Sequence, residues 1–211
     1  MPSYSSDEIK LRNKFACEMF NQLEDYLNDF LSYVPLDETH FNVYSLKLTT
    51  IILEAGPELM SAFDVAVAST RLVPMWEWMD PTLQPDRDAL WSKEEKLKTK
   101  NRSLTFNDYC LFLNSHGAQR LCSAKVEITN FNAYFMPFEK KYPEWWKTYN
   151  QLKHEKYDNL KKATLETALR LLGALFWLVD YNMQLTSRNH CQSHLFKAID
   201  DSRIEASLKR L

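Results

Sequence analysis

Asn150, Lys153 and His154 are the residues whose types and spacing best suit chemistry. They lie in "YNQLKHEK", residues 149–156. On a helix, Asn150 and His154 are i and i+4 and project from one face, with Trp146 one turn earlier on the same line. An imidazole exchanges protons near neutral pH. The neighbouring Lys153 ammonium brings a positive charge that can hold a phosphate and stabilise charge developing on it. The Asn150 amide can orient that phosphate or a ribose hydroxyl. This set suits metal-independent cleavage of RNA, in which a 2′-hydroxyl attacks its own phosphodiester. His154 and Asn150 are then the candidate catalytic residues, and Lys153, Tyr149 and Trp146 the candidate substrate contacts. The plainer alternative is a helix-end histidine bonded to a carbonyl or to Glu155, with Trp145, Trp146 and Tyr149 packed in the core.

A second, weaker candidate is "RNHCQSH", in which Arg188 and Asn189 precede His194. It keeps an arginine, but it lacks both a preceding aromatic pair and a following apolar helix, so it also reads as an exposed connector. His190 and His194 are i,i+4 with Cys191 between them. No carboxylate nearby in sequence supports a metal site there, and no metal or cofactor is expected. The adjacent acidic pairs Glu94-Glu95 and Asp200-Asp201 diverge on a helix and read as solvated surface. Phosphate-cradling glycine loops and nucleophile-elbow patterns are absent from the sequence.

The elements that must position these residues read as mainly helical. Gly56, Gly117 and Gly173 are the only glycines in 211 residues, which disfavours a turn-rich sheet fold. "SSDEIKLRNKFACEMFNQLEDYLNDFLSYV" places Ile9, Phe15, Met19, Phe20, Leu23, Leu27, Phe30 and Leu31 so that steps of three and four dominate, an amphipathic helix capped by Ser5 or Ser6. A second helix is predicted from about Val43 to Thr70, kinked or broken at Gly56-Pro57. Residues 71–103 carry three prolines, Trp76, Trp78, Trp91 and a charged tract, and read as an irregular excursion with a short helix near 86–98. "LTFNDYCLFLNSHG" predicts a short helix closed by Gly117. Residues 124–136 mix β-branched and aromatic side chains around "TNFN" and predict a small β-hairpin. Pro143 suits the first turn of the helix carrying Trp146 to His154. A long helix follows from about Leu160 to Met183, with Ala163, Ala168, Leu171, Leu172, Leu175, Phe176 and Val179 inward. The C-terminal stretch reads as a weakly apolar helix or tail. The expected architecture is one domain over residues 1–211, a bundle of four to five long helices with a small hairpin.

Composition bounds the class. Hydrophobic residues make up 45% and charged residues 26%, an ordinary globular balance. Residues 1–65 carry four basic and eleven acidic side chains, and the remainder 22 basic against 17 acidic. That mildly basic remainder suits a polyanion or an evenly solvated surface. The four cysteines are far apart without a C-x-x-C pair. The first residues lack the basic and apolar regions of a signal peptide, and the longest apolar run is too short to span a membrane. The expectation is a cytoplasmic protein with reduced thiols.

The segment "YNQLKH" resembles the motif of the HEPN superfamily of helical ribonucleases and their relatives, an Arg-x(4–6)-His pattern often written Arg-Asn-x-x-x-His. Asn150 and His154 match its asparagine and histidine, whereas Tyr149 stands where the motif has its arginine. "PFEKKYPEWWKTYNQLKHEKYDNLKKATLETALRLLGALFWL" also resembles a set of uncharacterised bacterial and phage-associated proteins with a WW-x-x-YN-x-x-KH signature, and "YSLKLTTIILEAGPELMSAF" resembles their earlier helix. The resemblance implies an RNA-binding or RNA-cleaving protein of toxin or phage-defence type. It also implies a homodimer in which two Asn150/His154 pairs converge, and a cognate protein partner. The alternative is a non-catalytic helical interaction module carrying a degenerate motif.

Overall fold

Of the two expected caps, Ser5 or Ser6, Ser5 caps the first helix: its hydroxyl accepts from the Glu8 N–H, and the Glu8 carboxylate accepts from the Ser5 N–H at 2.7 Å. This reciprocal cap satisfies two donors that a helix start would otherwise leave to water. The computed structural model describes residues 5–69, 105–115, 121, 123–140, 142–199 and 209–210. The excursion expected at 71–103, with Trp76, Trp78 and Trp91, lies outside them, as do Gly117 and Thr70.

Six helices and four strands are formed by the described residues. They are α1 (Ser6–Leu31), α2 (Leu46–Ser69), α3 (Phe106–Ser115), β1 (Lys125–Ile128), β2 (Ala133–Phe135), α4 (Glu144–His154), α5 (Lys156–Asn159), α6 (Leu165–Ser187), β3 (Phe196–Ile199) and β4 (Lys209–Arg210). The fold is mainly α with a small β-hairpin, as expected. Helix α2 runs through Gly56-Pro57 as one continuous helix, so of the expected kink or break the break does not form. The reason is packing: Ile51, Ile52, Ala55, Leu59 and Phe63 on either side of the proline are all fully buried, and that burial outweighs one lost helical hydrogen bond.

Helices α1, α2 and α6 form a three-helix layer, with α2 and α6 in the most extensive contact among the described elements. The inward stripe predicted for α6 is buried throughout: Ala163, Ala168, Leu171, Leu172, Leu175, Phe176 and Val179. Its start is held by the loop between α1 and α2: the Leu165 and Glu166 N–H groups donate to the carbonyls of Val43 and Phe41 at 2.9 and 3.1 Å. Polar anchors tie the three helices together. The Asn13 amide donates to the Asn182 carbonyl and the Thr186 hydroxyl, and the Asn182 amide to the Ala62 carbonyl.

The hairpin forms where it is expected, with Asn132 of "TNFN" taking the left-handed conformation at φ 53°. Its sheet is larger than foreseen. Strand order is β3-β1-β2-β4, with β3 antiparallel to β1 and β4 parallel to β2. The C-terminal helix or tail is therefore corrected: residues 196–199 are a strand. Phe196 is buried and pairs with Ile128 across the ladder, so sheet pairing overrides a weak helical pattern. Val126, Ile128, Ala133 and Phe135 turn the buried face of the sheet towards the helices, and the Phe135 ring presses on Gly173 of α6. The expectation of four reduced thiols is also corrected. Cys17 of α1 and Cys191 form a disulfide, with Cα atoms 5.8 Å apart, because the chain after α6 is drawn back across α1. Among the described residues no helix is long and apolar enough to cross a membrane.

Candidate functional site

Helix α4 is positioned by aromatic residues. Pro143 stands just before it as its N-cap, and the Pro143 carbonyl accepts from the Trp146 and Lys147 N–H groups. The Trp145 indole N–H donates to the Pro137 carbonyl at 3.1 Å. Trp146 stacks on Phe106 of α3 with centroids 4.6 Å apart and meets the Tyr149 ring at 4.9 Å. Tyr149 in turn lies against Gly56 of α2. Trp146 and Tyr149 are 6% and 4% exposed, and burial holds the Tyr149 phenol above its usual pKa. Both are core residues, and the structure gives neither of them to a surface ligand.

Asn150 and His154 do share one line of the helix, but the line climbs out of the core. Trp146 is buried, Asn150 half-buried and His154 exposed as the last residue of α4. The Asn150 amide donates back to the Trp146 carbonyl at 3.0 Å. Lys153 is exposed, with its ammonium 5.9 Å from the Tyr149 ring centroid. The helix stops at Glu155, where φ is −139°. Asn159 fixes this break by donating to the Glu155 and Gln151 carbonyls at 2.9 and 3.4 Å, which satisfies two carbonyls at the helix end. The chain then presents Lys156, Tyr157 and Lys161 to solvent, with Tyr157 84% exposed. The Lys162 ammonium donates to the Gln151 side chain at 2.9 Å and ties this turn to α4. His154 is thus one of a run of exposed residues that also holds Lys153, Glu155, Lys156, Tyr157, Asp158 and Lys161.

The second candidate is not helical. Arg188 caps the end of α6 in the left-handed conformation, φ 57°, and the chain leaves it extended. Arg188, Asn189 and His194 are all exposed. His194 serves through its backbone: its N–H donates to the buried Glu24 carboxylate of α1 at 3.0 Å, and its carbonyl accepts from the Thr129 hydroxyl. Glu24 also accepts from the Leu195 N–H and the Ser193 hydroxyl.

A carboxylate that sequence reasoning missed sits beside this segment. Asp180 of α6, its side chain 4% exposed, accepts from His190 Nδ1 at 3.1 Å, from the Cys191 N–H at 2.9 Å and from Gln184 Nε2 at 2.6 Å. The signal was there in "LFWLVDYNMQL": Asp180 falls one turn after Phe176 on the apolar stripe of α6, and a charge on such a stripe needs buried partners. These groups border a cavity of about 670 Å³ floored by Phe176, Trp177 and Phe196. Among the described residues no cluster of three or more histidines, cysteines or carboxylates could hold a metal ion.

No protein-family model, curated protein or solved structure matches this chain.

Proposed function

We propose that this chain is a HEPN-like RNA-binding protein that meets RNA through the exposed end of α4 and the turn after it: Asn150, Lys153, His154, Lys156, Tyr157 and Lys161. The observation that carries the reading is the exposure of Tyr157 among four cationic or protonatable side chains. Lysines neutralise phosphates, and an exposed ring offers a stacking platform for an unpaired base. Trp146 and Tyr149 support the surface from beneath rather than touching the ligand. With an aromatic core residue where the motif has its arginine, one copy supplies His154 as a proton-transfer group without a guanidinium beside it. Cleavage then depends on a second copy bringing its own His154 and lysines to the same phosphate, as the resemblance implies.

A second reading, a helical protein-interaction module with a degenerate motif, is favoured by the Asn150 amide being committed to the Trp146 carbonyl. The two part in one experiment. Labelled single-stranded RNA is incubated in EDTA with wild type, His154→Ala, Tyr157→Ala and His194→Ala. RNA binding weakened by Tyr157→Ala and retained by His194→Ala is the expected result. Cleavage lost only with His154→Ala makes the protein a ribonuclease. Wild type that neither binds nor cuts RNA sinks the proposal and leaves the interaction module.

A further inference from the structure

A line of apolar side chains on α1 is left uncovered beside α2. Leu11 and Phe15 are 53% and 55% exposed and Tyr26 39%, with Met19 half-buried between them. Steps of four, four and seven residues put them along one side of the helix. Gln22 fills the gap and donates to the Tyr26 hydroxyl at 2.9 Å. From Leu11 to Tyr26 the line is about 22 Å long by helical rise. Two contacts fix which neighbour it borders. Helices α1 and α2 run antiparallel, with Ile9 packed on Val65 and Ala68 at one end and the Asp29 carboxylate paired with the Lys47 ammonium at the other. Asp29 comes about five full turns after Leu11 and stands on the same side of α1. The line therefore borders the side of α2 that carries Lys47. Glu54 and Glu58 lie within about 20° of Lys47 round that helix.

Both edges of the line are acidic. On the α2 edge Glu54 is exposed and Glu58 half-buried, and among the described residues no cation pairs with either. Burial holds the Glu58 carboxyl above its usual pKa. On the outer edge Asp25 is exposed, and Glu18 meets Lys14 of its own helix at 3.8 Å. We propose that this face docks a basic amphipathic helix of a partner protein, about four turns long. The partner's apolar stripe lies on Leu11, Phe15, Met19 and Tyr26, and its flanking lysines or arginines meet Glu54 and Glu58 on one edge and Glu18 and Asp25 on the other. Charge decides the occupant. Carboxylates on both edges repel phosphate, which disfavours a nucleic acid or an anionic lipid surface. A second copy docked through the same face sets these acidic edges against themselves. A basic helix instead gives the half-desolvated Glu58 the charge partner it lacks. The face shares no residue with the end of α4, so the inference stands apart from the RNA reading.

The test is fluorescence anisotropy of the full chain with three labelled peptides. One places leucines at i, i+3, i+4 and i+7 with lysines elsewhere, one has the same composition in scrambled order, and one replaces every lysine by glutamate. The patterned basic peptide should bind roughly tenfold or more tighter than the scrambled one, and the acidic peptide should not bind. Phe15→Ala should weaken binding of the patterned peptide roughly tenfold. Glu54→Gln combined with Glu58→Gln should weaken it at low salt and flatten its salt dependence. Phe15 and Glu54 are exposed and Glu58 is unpaired, and a thermal midpoint no lower than wild type verifies that each variant is folded. No binding of the patterned basic peptide overturns the proposal. So does equal affinity for the scrambled peptide, or wild-type affinity in Phe15→Ala or in the double glutamine variant. A wild-type dimer in sedimentation that Phe15→Ala dissociates also overturns it, by giving the face to a second copy.

Discussion

The Tyr149 ring covers Gly56 of α2 so closely that no β-carbon fits between them. Trp146 backs the same ring at 4.9 Å, so it has nowhere to retreat. Gly56→Ala should therefore destabilise the protein although alanine is the better helix former by about 1 kcal/mol. Overpacking a filled contact costs about 1–3 kcal/mol, and the net loss should lower the thermal midpoint by a few degrees in a chain of this size. A midpoint at or above wild type would mean that the ring moves aside freely and that Tyr149 is not a fixed core residue.

Glu24 should matter more than its place on a surface helix suggests. It is 1% exposed and receives the His194 and Leu195 N–H groups and the Ser193 hydroxyl. Glu24→Gln replaces an acceptor-only group by one that turns a donor on these donors, and should cost about 2–3 kcal/mol. Urea denaturation measures the loss, and hydrogen exchange at the His194 and Leu195 amides should quicken with it. Unchanged exchange at those two amides would show that the segment is held by something other than this carboxylate.

What could be read in advance follows from the range of the interactions. A Ser5 or Ser6 cap, "TNFN" and the stripe of α6 are local signals, and the structure forms the cap at Ser5, the turn at Asn132 and the buried stripe, while Pro143, expected as the first helical residue, stands one place earlier as N-cap. The unbroken α2 was hidden because Pro57 is a local breaker whose effect is reversed by Tyr149 and the core, almost a hundred residues away. The β3 strand was hidden because its ladder partner is β1, about seventy residues earlier. The Asn150–His154 line was legible, but not its climb out of the core, which depends on where α4 leaves α2. Glu24 was hidden for a third reason. A carboxylate that caps a returning chain looks in sequence like any surface acid until its backbone donors are known.

Cys110 supplies a pH test. Burial pushes its thiol from 9.0 up to about 12, so the folded state favours the neutral form. An acid whose folded pKa is raised contributes stability that is complete below the unfolded value and is lost as pH rises towards the folded one. The window is pH 9 to about 12, with a loss of about 1.4 kcal/mol per pH unit. Lysines titrate there too, so the informative quantity is wild type minus Cys110→Ala. That difference should shrink with rising pH, whereas a constant difference from pH 8 to 11 would contradict a buried neutral thiol. Iodoacetamide at pH 8 should modify Cys110 only after unfolding.

Cys17 and Cys191 are 174 residues apart, so their link closes most of the chain into one loop. Cross-links of this kind typically stabilise by about 2–4 kcal/mol, chiefly by restricting the unfolded chain. Cys17→Ser should lower stability by that amount and leave the helical circular dichroism unchanged, because Asp180 and Glu24 still hold the segment around Cys191. Intact mass before and after reduction reports the bond directly. A mass that does not rise by two hydrogens on reduction would remove the disulfide from the structure.

The RNA surface makes its own prediction, because lysines and a tyrosine act through different physics. Lys156→Ala and Lys161→Ala each remove one cation, and each should reduce the slope of log affinity against log salt by about 0.7 for single-stranded RNA. Affinity falls in both variants, and less at high salt. Tyr157→Ala removes a stacking platform and no charge, so the slope should stay at the wild-type value. Affinity should drop by about 1–3 kcal/mol at every salt concentration. Fluorescence anisotropy with a labelled 12-mer over a salt series reads both quantities. Equal slopes in wild type and both lysine variants would place the RNA elsewhere on the protein, and a Tyr157→Ala affinity equal to wild type would reduce the contact to charge alone.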